Sequence, residues 1–335
     1  MGAASAMAGR RTLNAPPKTS ETGTGPVGAA HVSVMMGEVV EWLRPRPGAR
    51  LLDATVGLGG HAAALLSAAP DTRLLGLDRD PAALAGARDR LRLYEERVQL
   101  RQASFVDAAA NLAGAGWDAA DAVLLDLGVS SLQLDSAERG FAFQREGPLD
   151  MRMDPSGALT AAEIANHWAE PRLARLLSEY GEERRARAVA RAIVRSRPLA
   201  TTTELAAVVS GVLGGGRPGI HPATRTFQAL RIAVNDELGG LDEFLAEGYR
   251  LLGPGGRLAV LAYHSLEDRR VKAAFRRWAA DCLCPPGLPR CSCGWTAKVR
   301  LLTRRPVRPM AAEVGRNPRA RSARLRVVER LGALP

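Results

Sequence analysis

The sequence predicts an α/β chain built on a parallel sheet, with a long helical segment inserted late in it. Three observations carry this. From Arg50 to Leu127, short apolar runs alternate with helical stretches, the grammar of β-α-β units. From about Leu132 to Ile232, helical segments follow one another with no convincing strand. An apolar run then returns at Leu258 and resumes the sheet.

Each element has its own signal. Residues 1–29 are small, polar and Pro/Gly-rich without periodicity, which reads as a disordered leader. Strands are expected at Leu51–Ala54, Leu74–Leu77, Val98–Ser104 and Ala122–Leu127. The first is followed by Gly57–Gly60 and a helix through Ala69, and Pro81 opens the next helix, to about Tyr94. Thr160 with Glu163, and Thr201 with Glu204, are capping boxes inside the helical stretch. Asn235–Leu252 reads as a helix broken by Gly253-Pro254-Gly255-Gly256, ahead of strands at Leu258–Tyr263 and Leu325–Val328. The expected division is therefore a leader at 1–29, the first part of a sheet domain at 30–132, an all-helical insertion for substrate recognition at 133–232, and the rest of the sheet domain, with a basic end, at 233–335.

Composition bounds the function. At roughly 150 residues per domain, 335 residues suggest about two domains, and 46% hydrophobic residues suffice for real cores. Gly 34 and Pro 21 are near the ordinary level, so most of the chain should fold. No window approaches the ~18 apolar residues of a membrane span, and the start has no signal-peptide pattern, so the chain reads as cytoplasmic, with no membrane partner. A net charge of +11 favours a polyanionic partner such as nucleic acid. The charge is concentrated: from Arg300 onward there are ten arginines against Glu313 and Glu329. With only three lysines in the chain, the choice of Arg is weak support for bidentate phosphate recognition, and 4% aromatics argue against rows of stacked bases.

The first strand ends in Asp53-Ala54-Thr55-Val56-Gly57-Leu58-Gly59-Gly60-His61 and runs into a helix, where glycines let a nucleotide approach the backbone. Alone, this is ambiguous. Gly57-x-Gly59-x-x-Ala62 satisfies the dinucleotide fingerprint, with Asp78 placed as a ribose-binding acid, which leaves an NAD-dependent oxidoreductase as the alternative. Asp53 discriminates. A carboxylate beside the loop opposes a pyrophosphate but suits the ammonium and sulfonium of S-adenosylmethionine. Asp126, closing the fourth strand, supports the same reading.

Longer strings now become recognisable: Gly76-Leu77-Asp78-Arg79-Asp80-Pro81, Leu124-Leu125-Asp126-Leu127-Gly128-Val129-Ser130-Ser131, Glu138-Arg139-Gly140-Phe141, Tyr180-Gly181-Glu182-Glu183, His221-Pro222-Ala223-Thr224-Arg225, His264-Ser265-Leu266-Glu267-Asp268-Arg269 and Asn317-Pro318-Arg319-Ala320-Arg321. With these the chain resembles the ribosomal RNA small subunit methyltransferase H family (RsmH, also called MraW) from His31 almost to the C-terminus. The resemblance implies a class I S-adenosylmethionine-dependent methyltransferase fold, with a Rossmann-like sheet and an inserted all-helical domain. It implies methylation of the exocyclic N4 amine of a decoding-region cytidine in 16S rRNA, with the small ribosomal subunit as partner. It places cofactor contacts at Gly59, Gly60, His61, Asp78, Phe105, Asp126 and Gln133. Gly59 and Gly60 would let the backbone approach, Asp78 would accept the ribose hydroxyls, Phe105 would pack on the adenine, and Gln133 and Asp126 would face the methionine side.

In-line attack of an amine on a sulfonium methyl needs orientation, desolvation and a proton acceptor. Many amino-methyltransferases carry Pro-Pro-Tyr/Phe/Trp after the fourth strand; here Leu127-Gly128-Val129-Ser130 stands instead. The catalytic candidates are therefore Asp126, Ser130 and His264, with backbone carbonyls, and Asp268 on the same rim; Ser265 and Asp268 could equally be ordinary N-caps. Candidate RNA contacts are Arg225, Arg231, Arg319 and Arg321. Arg184, Arg187, Arg191 and Arg195 share one helical face and could track phosphates or pair with Glu182 and Glu183. Cys282-x-Cys284 and Cys291-x-Cys293 could close a zinc site, but the gap is tighter than usual, and the reading kept is reduced thiols with no metal. An RNA-binding assembly factor without catalysis is the third hypothesis. The oligomeric state stays open, a homodimer included.

Overall fold

The computed structural model describes residues 33–214, 221–285, 288 and 290–332; the leader expected at 1–29 lies outside them. One seven-stranded sheet comprises β1 (Arg50–Asp53), β2 (Arg73–Asp78), β3 (Val98–Gln102), β4 (Ala120–Asp126), β5 (Leu252–Ala262), β6 (Val299–Leu301) and β7 (Arg324–Arg330). Their order is β3-β2-β1-β4-β5-β7-β6. The first five are parallel, whereas β7 is antiparallel to both β5 and β6.

The helices are α1 (Met36–Leu43), α2 (Gly60–Ala68), α3 (Pro81–Leu91), α4 (Ala108–Gly114), α5 (Ser131–Asp135), α6 (Ala161–His167), α7 (Glu170–Glu179), α8 (Ala186–Arg195), α9 (Thr202–Leu213), α10 (Thr224–Asn235), α11 (Glu237–Glu247), α12 (Ser265–Trp278) and α13 (Ala311–Arg316). Strand alternation assigns them to faces. Leu51, Leu74 and Leu124 pack with α1, α2 and α3, whereas Leu52, Leu75, Val123 and Leu125 pack with Phe244 of α11 and Phe275 and Trp278 of α12. A sheet covered on both faces needs near-continuous apolar strands, which is why β2 and β4 read as unbroken runs.

Between β4 and β5, helices α6 to α10 enclose a third core around Met151, Ile164, Leu177, Val189 and Leu230. Of the two capping boxes expected here, one is reciprocal and the other is only half formed, with no return bond from Glu163. Thr201 and Glu204 form a reciprocal capping box, and the Thr160 side chain accepts from the Glu163 amide. On α8, Val189, Ala190 and Ile193 are buried and Arg187, Arg191 and Arg195 lie on the exposed side, while Arg184, also exposed, precedes the helix. Arg191 pairs with Glu170, not with Glu182 or Glu183.

Two expectations are corrected. The Gly253–Gly256 breaker lies within β5, because the pairing shifts register between Ala120↔Leu252 and Ala122↔Arg257, and the extra residues form a bulge. The helix expected to reach Leu252 ends as α11 at Glu247, followed by a 3-10 turn. Helix α1 and the short strand β6 had no reading from the sequence.

Candidate cofactor and active site

The carboxyl edges of β1, β2 and β4 carry Asp53, Asp78 and Asp126 around the glycine turn. The turn is tight: the Gly59 amide bonds Val56 O at 2.8 Å, and Gly59 takes φ +76°. A Cβ on Gly59 would stand 3.2 Å from Leu91 of α3, and one on Gly60 would collide with Ser33 Oγ. Packing against α3 and the segment before α1 therefore also favours glycine at both positions, beside the backbone approach to a cofactor that the resemblance implies.

The acids are held apart by backbone and hydroxyl donors. Asp78 accepts the amides of Gly57 (2.8 Å) and Asp80 (2.9 Å). Each of its oxygens keeps a second lone pair, so it can still receive a diol. Asp53 is 1% exposed and accepts the Thr55 amide at 3.2 Å. Burial pushes its carboxyl up from 3.8 to about 7 against the pull of His61, with Asp126 and Asp78 raising it further. Asp126 Oδ1 accepts the Tyr263 hydroxyl at 2.8 Å, and its amide donates to Thr55 Oγ1. His61 lies with Nε2 3.4 Å from Asp126 Oδ2, and neither ring nitrogen makes a full hydrogen bond. Burial lowers the His61 pKa, but the adjacent Asp126 carboxylate, with Asp53, raises it on balance.

Asp53 and Asp126 face the buried His61, with Asp78 next to Asp53, a set richer in acids than in cations whose histidine ring nitrogens are left without full partners. A ligand bearing cationic groups beside hydroxyls fits that set; a pyrophosphate would be repelled.

The other sequence candidates divide. Ser130 and Gln133 form the capping box of α5, and Gln133 Nε2 donates to Asp80 at 2.9 Å. Gln133 is thus beside the turn, but its amide is committed to the fold. Phe105 is 9% exposed and edge-on to Phe244, its centroid 5.9 Å away, so most of the ring is core. His264 caps α12: Nδ1 accepts from the Glu267 amide, and Nε2 stands 3.1 Å from Glu267 Oε1. Burial pushes Glu267 up, but His264 and Arg231 hold it below the usual carboxylate range. Asp268 pairs with Arg324 and Arg326, and so holds β7.

Among the candidate RNA contacts, Arg231 is corrected. Its guanidinium is turned inward onto Glu237 in a bidentate pair at 2.8 and 2.7 Å. Arg225 donates to Glu182 O at 3.0 Å, Arg319 pairs with Asp135 at 2.7 Å, and both Arg319 and Arg321 are exposed. Arg319 thereby lies against α5, next to the capping box.

Asp80, Arg139 and Tyr263 were absent from the sequence's candidate site. Asp80 is fully buried, caps α3 and accepts from Gln133 and Arg139, the latter at 2.9 Å, tying the chain after β4 to the β2 turn. Tyr263 could have been found, since it follows a strand's carboxyl end beside Asp126.

The reversed β7 and the acid-lined crevice at the parallel strands' carboxyl edge define a class I S-adenosylmethionine-dependent methyltransferase. A dinucleotide fold would continue parallel as 3-2-1-4-5-6. The chain belongs to the MraW methylase family, whose model matches residues 28–331. It is 52% identical over 310 residues to the ribosomal RNA small subunit methyltransferase H of Thermomicrobium roseum, covering 91% of this chain and 95% of that one. It is 53% identical over 307 residues to the enzyme of the same name from Syntrophotalea carbinolica, covering 90% and 98%.

Proposed function

We propose that this S-adenosylmethionine-dependent rRNA methyltransferase acts on the exocyclic N4 amine of a cytidine in the decoding region of 16S rRNA, within the small ribosomal subunit and in the cytoplasm. The observation that carries the cofactor assignment is the acidity of the Gly57–His61 crevice, where Asp53 and Asp126 face a single buried histidine and Asp78 stands next to Asp53. No helix among the described residues is long and apolar enough to cross a membrane.

When bound, the cofactor supplies an electrophilic methyl on a sulfonium. Asp78 would hold the ribose, and Asp53 the cationic methionine end. The cytidine amine, on receiving that methyl, would shed one proton, which a residue of this chain would take. Asp126 is the acceptor we assign, because Tyr263 and His61 fix its carboxylate at the strand end while Ser130 and His264 are committed as caps. Asp78→Ala should weaken cofactor binding by removing charge-assisted hydrogen bonds, each worth about 1.5–3 kcal/mol. Calorimetry on the folded variant reads this, and an unchanged Kd removes Asp78 from the site.

Incubating 30S particles and free 16S rRNA with methyl-labelled cofactor, then mapping the label, tests the reaction. Label on N4 of a decoding-region cytidine is expected. No transfer leaves an assembly factor, and label on another atom sinks the substrate assignment. Thermal stabilisation by NAD but not by S-adenosylmethionine would restore the oxidoreductase.

A further inference from the structure

Between Trp278, which ends α12, and Val299, which begins β6, the chain forms neither helix nor strand among the described residues. Its ends are joined, since the Lys298 amide donates to Trp278 O at 2.7 Å. Trp295 anchors one side, edge-on to Tyr249. A structureless loop of this length needs some other means of holding its shape.

Cys282, Cys284, Cys291 and Cys293 converge there. Their sulfurs all lie within 4.8 Å of one another, although three of the four residues are exposed and no packed core presses them together. Cys282 Sγ is 3.4 Å from Cys291 Sγ and 3.7 Å from Cys293 Sγ. Cys291 Sγ is 3.5 Å from Cys293 Sγ and 3.9 Å from Cys284 Sγ. Four sulfurs around one tetrahedral zinc at ≈ 2.3 Å would stand about 3.8 Å apart. Backbone amides also point at the sulfurs: Leu283 donates to Cys293, Cys284 to Cys282, and Ser292 to Cys284. Such bonds favour the thiolate, the form that ligates metal.

We propose that Cys282, Cys284, Cys291 and Cys293 form a structural zinc site that staples this loop, in place of the metal-free reading of their tight spacing. The two C-x-C pairs face each other across the loop, so each supplies two corners of the tetrahedron. Four protein thiolates close the coordination sphere, which leaves no open position for a substrate and makes the site structural. Soft thiolates in tetrahedral array select zinc or iron over harder cations. The site is remote from the acids. Helix α12 leaves the carboxyl edge of β5 and runs back along the sheet, so the loop sits at the opposite, amino edge of the parallel strands.

The test uses the full-length chain, untagged, purified without chelator. Elemental analysis should find one zinc per chain, released by a mercurial reagent with the titration of four thiols. Cobalt in its place should give the intense visible bands of a tetrahedral thiolate site. The Cys284→Ser/Cys293→Ser variant should lose the zinc and become sensitive to proteolysis between residues 280 and 297. Its Kd for S-adenosylmethionine should stay within about twofold, which also shows that it has folded. Native protein with four titratable thiols and no metal, a cystine found by mass, or iron instead of zinc would each overturn the assignment. The metal content and cobalt spectrum of the unmutated chain decide it even where the variant fails to fold.

Discussion

Among single residues, Asp53 is the group whose burial gives the acid-lined crevice a pH response near neutrality. Its folded pKa of about 7 lies above the ordinary 3.8, so between those values the folded chain holds a proton that the unfolded chain has released. The stability contributed by protonated Asp53 is fully present below pH 3.8 and is lost as pH rises to about 7. Asp53→Asn keeps an acceptor for the Thr55 amide and cannot ionise. Without cofactor, this variant should melt above the parent at pH 8, by a few kcal/mol at most, with the difference shrinking toward pH 5. A cationic ligand favours the ionised acid, so the parent's affinity for S-adenosylmethionine should rise from pH 6 to 8. The variant should bind at least tenfold more weakly and with a flat pH profile. Calorimetry across that range checks both, and a pH-independent parent would detach Asp53 from the cofactor.

At the scale of elements, the site depends on how closely α2 can approach its neighbours. Gly60 opens α2 with no room for a side chain, because Ser33 Oγ occupies the place of its Cβ and Arg90 lies 3.0 Å away. Gly60→Ala should cost about 1–3 kcal/mol through overpacking. Adding Ser33→Gly should restore part of the loss in a thermal melt, because it removes the obstructing hydroxyl. If the double variant is no more stable than Gly60→Ala alone, the glycine is required for another reason. Helix entries elsewhere show the same economy. Ser130, Thr201 and His264 each cap the helix they precede and bond reciprocally to a residue three positions on.

Across the whole molecule, the basic end is less uniform than its count of arginines suggests. Arg324 and Arg326 hold Asp268, and Arg300 holds Glu329, so part of that charge secures β7. Arg304, Arg305, Arg308, Arg316, Arg319 and Arg321 are exposed. Arg319 pairs with an exposed carboxylate, an interaction worth little in water. Replacing Arg319 and Arg321 together by Gln should therefore weaken RNA binding and lower its salt slope by about 0.7–0.9 for each phosphate that is no longer neutralised. The Kd for S-adenosylmethionine should stay nearly constant. Filter binding across a salt series measures the slope. Joint loss of thermal stability and cofactor affinity, with an unchanged slope, would make these arginines structural.

What the sequence determined by itself was local. Apolar runs placed the parallel strands, the turn from Asp53 to His61 marked an acid-lined crevice, and the sign of Asp53 favours a cationic ligand over a pyrophosphate there, because charge and periodicity are properties of neighbouring residues. Only the tertiary structure decided the rest. It turned Arg231 inward onto Glu237, joined Gln133 and Arg139 to Asp80, set Tyr263 on Asp126 and absorbed Gly253–Gly256 into β5 as a bulge. These outcomes depend on which distant segments meet, and a side chain's partner is chosen by packing across the fold, which no local pattern encodes.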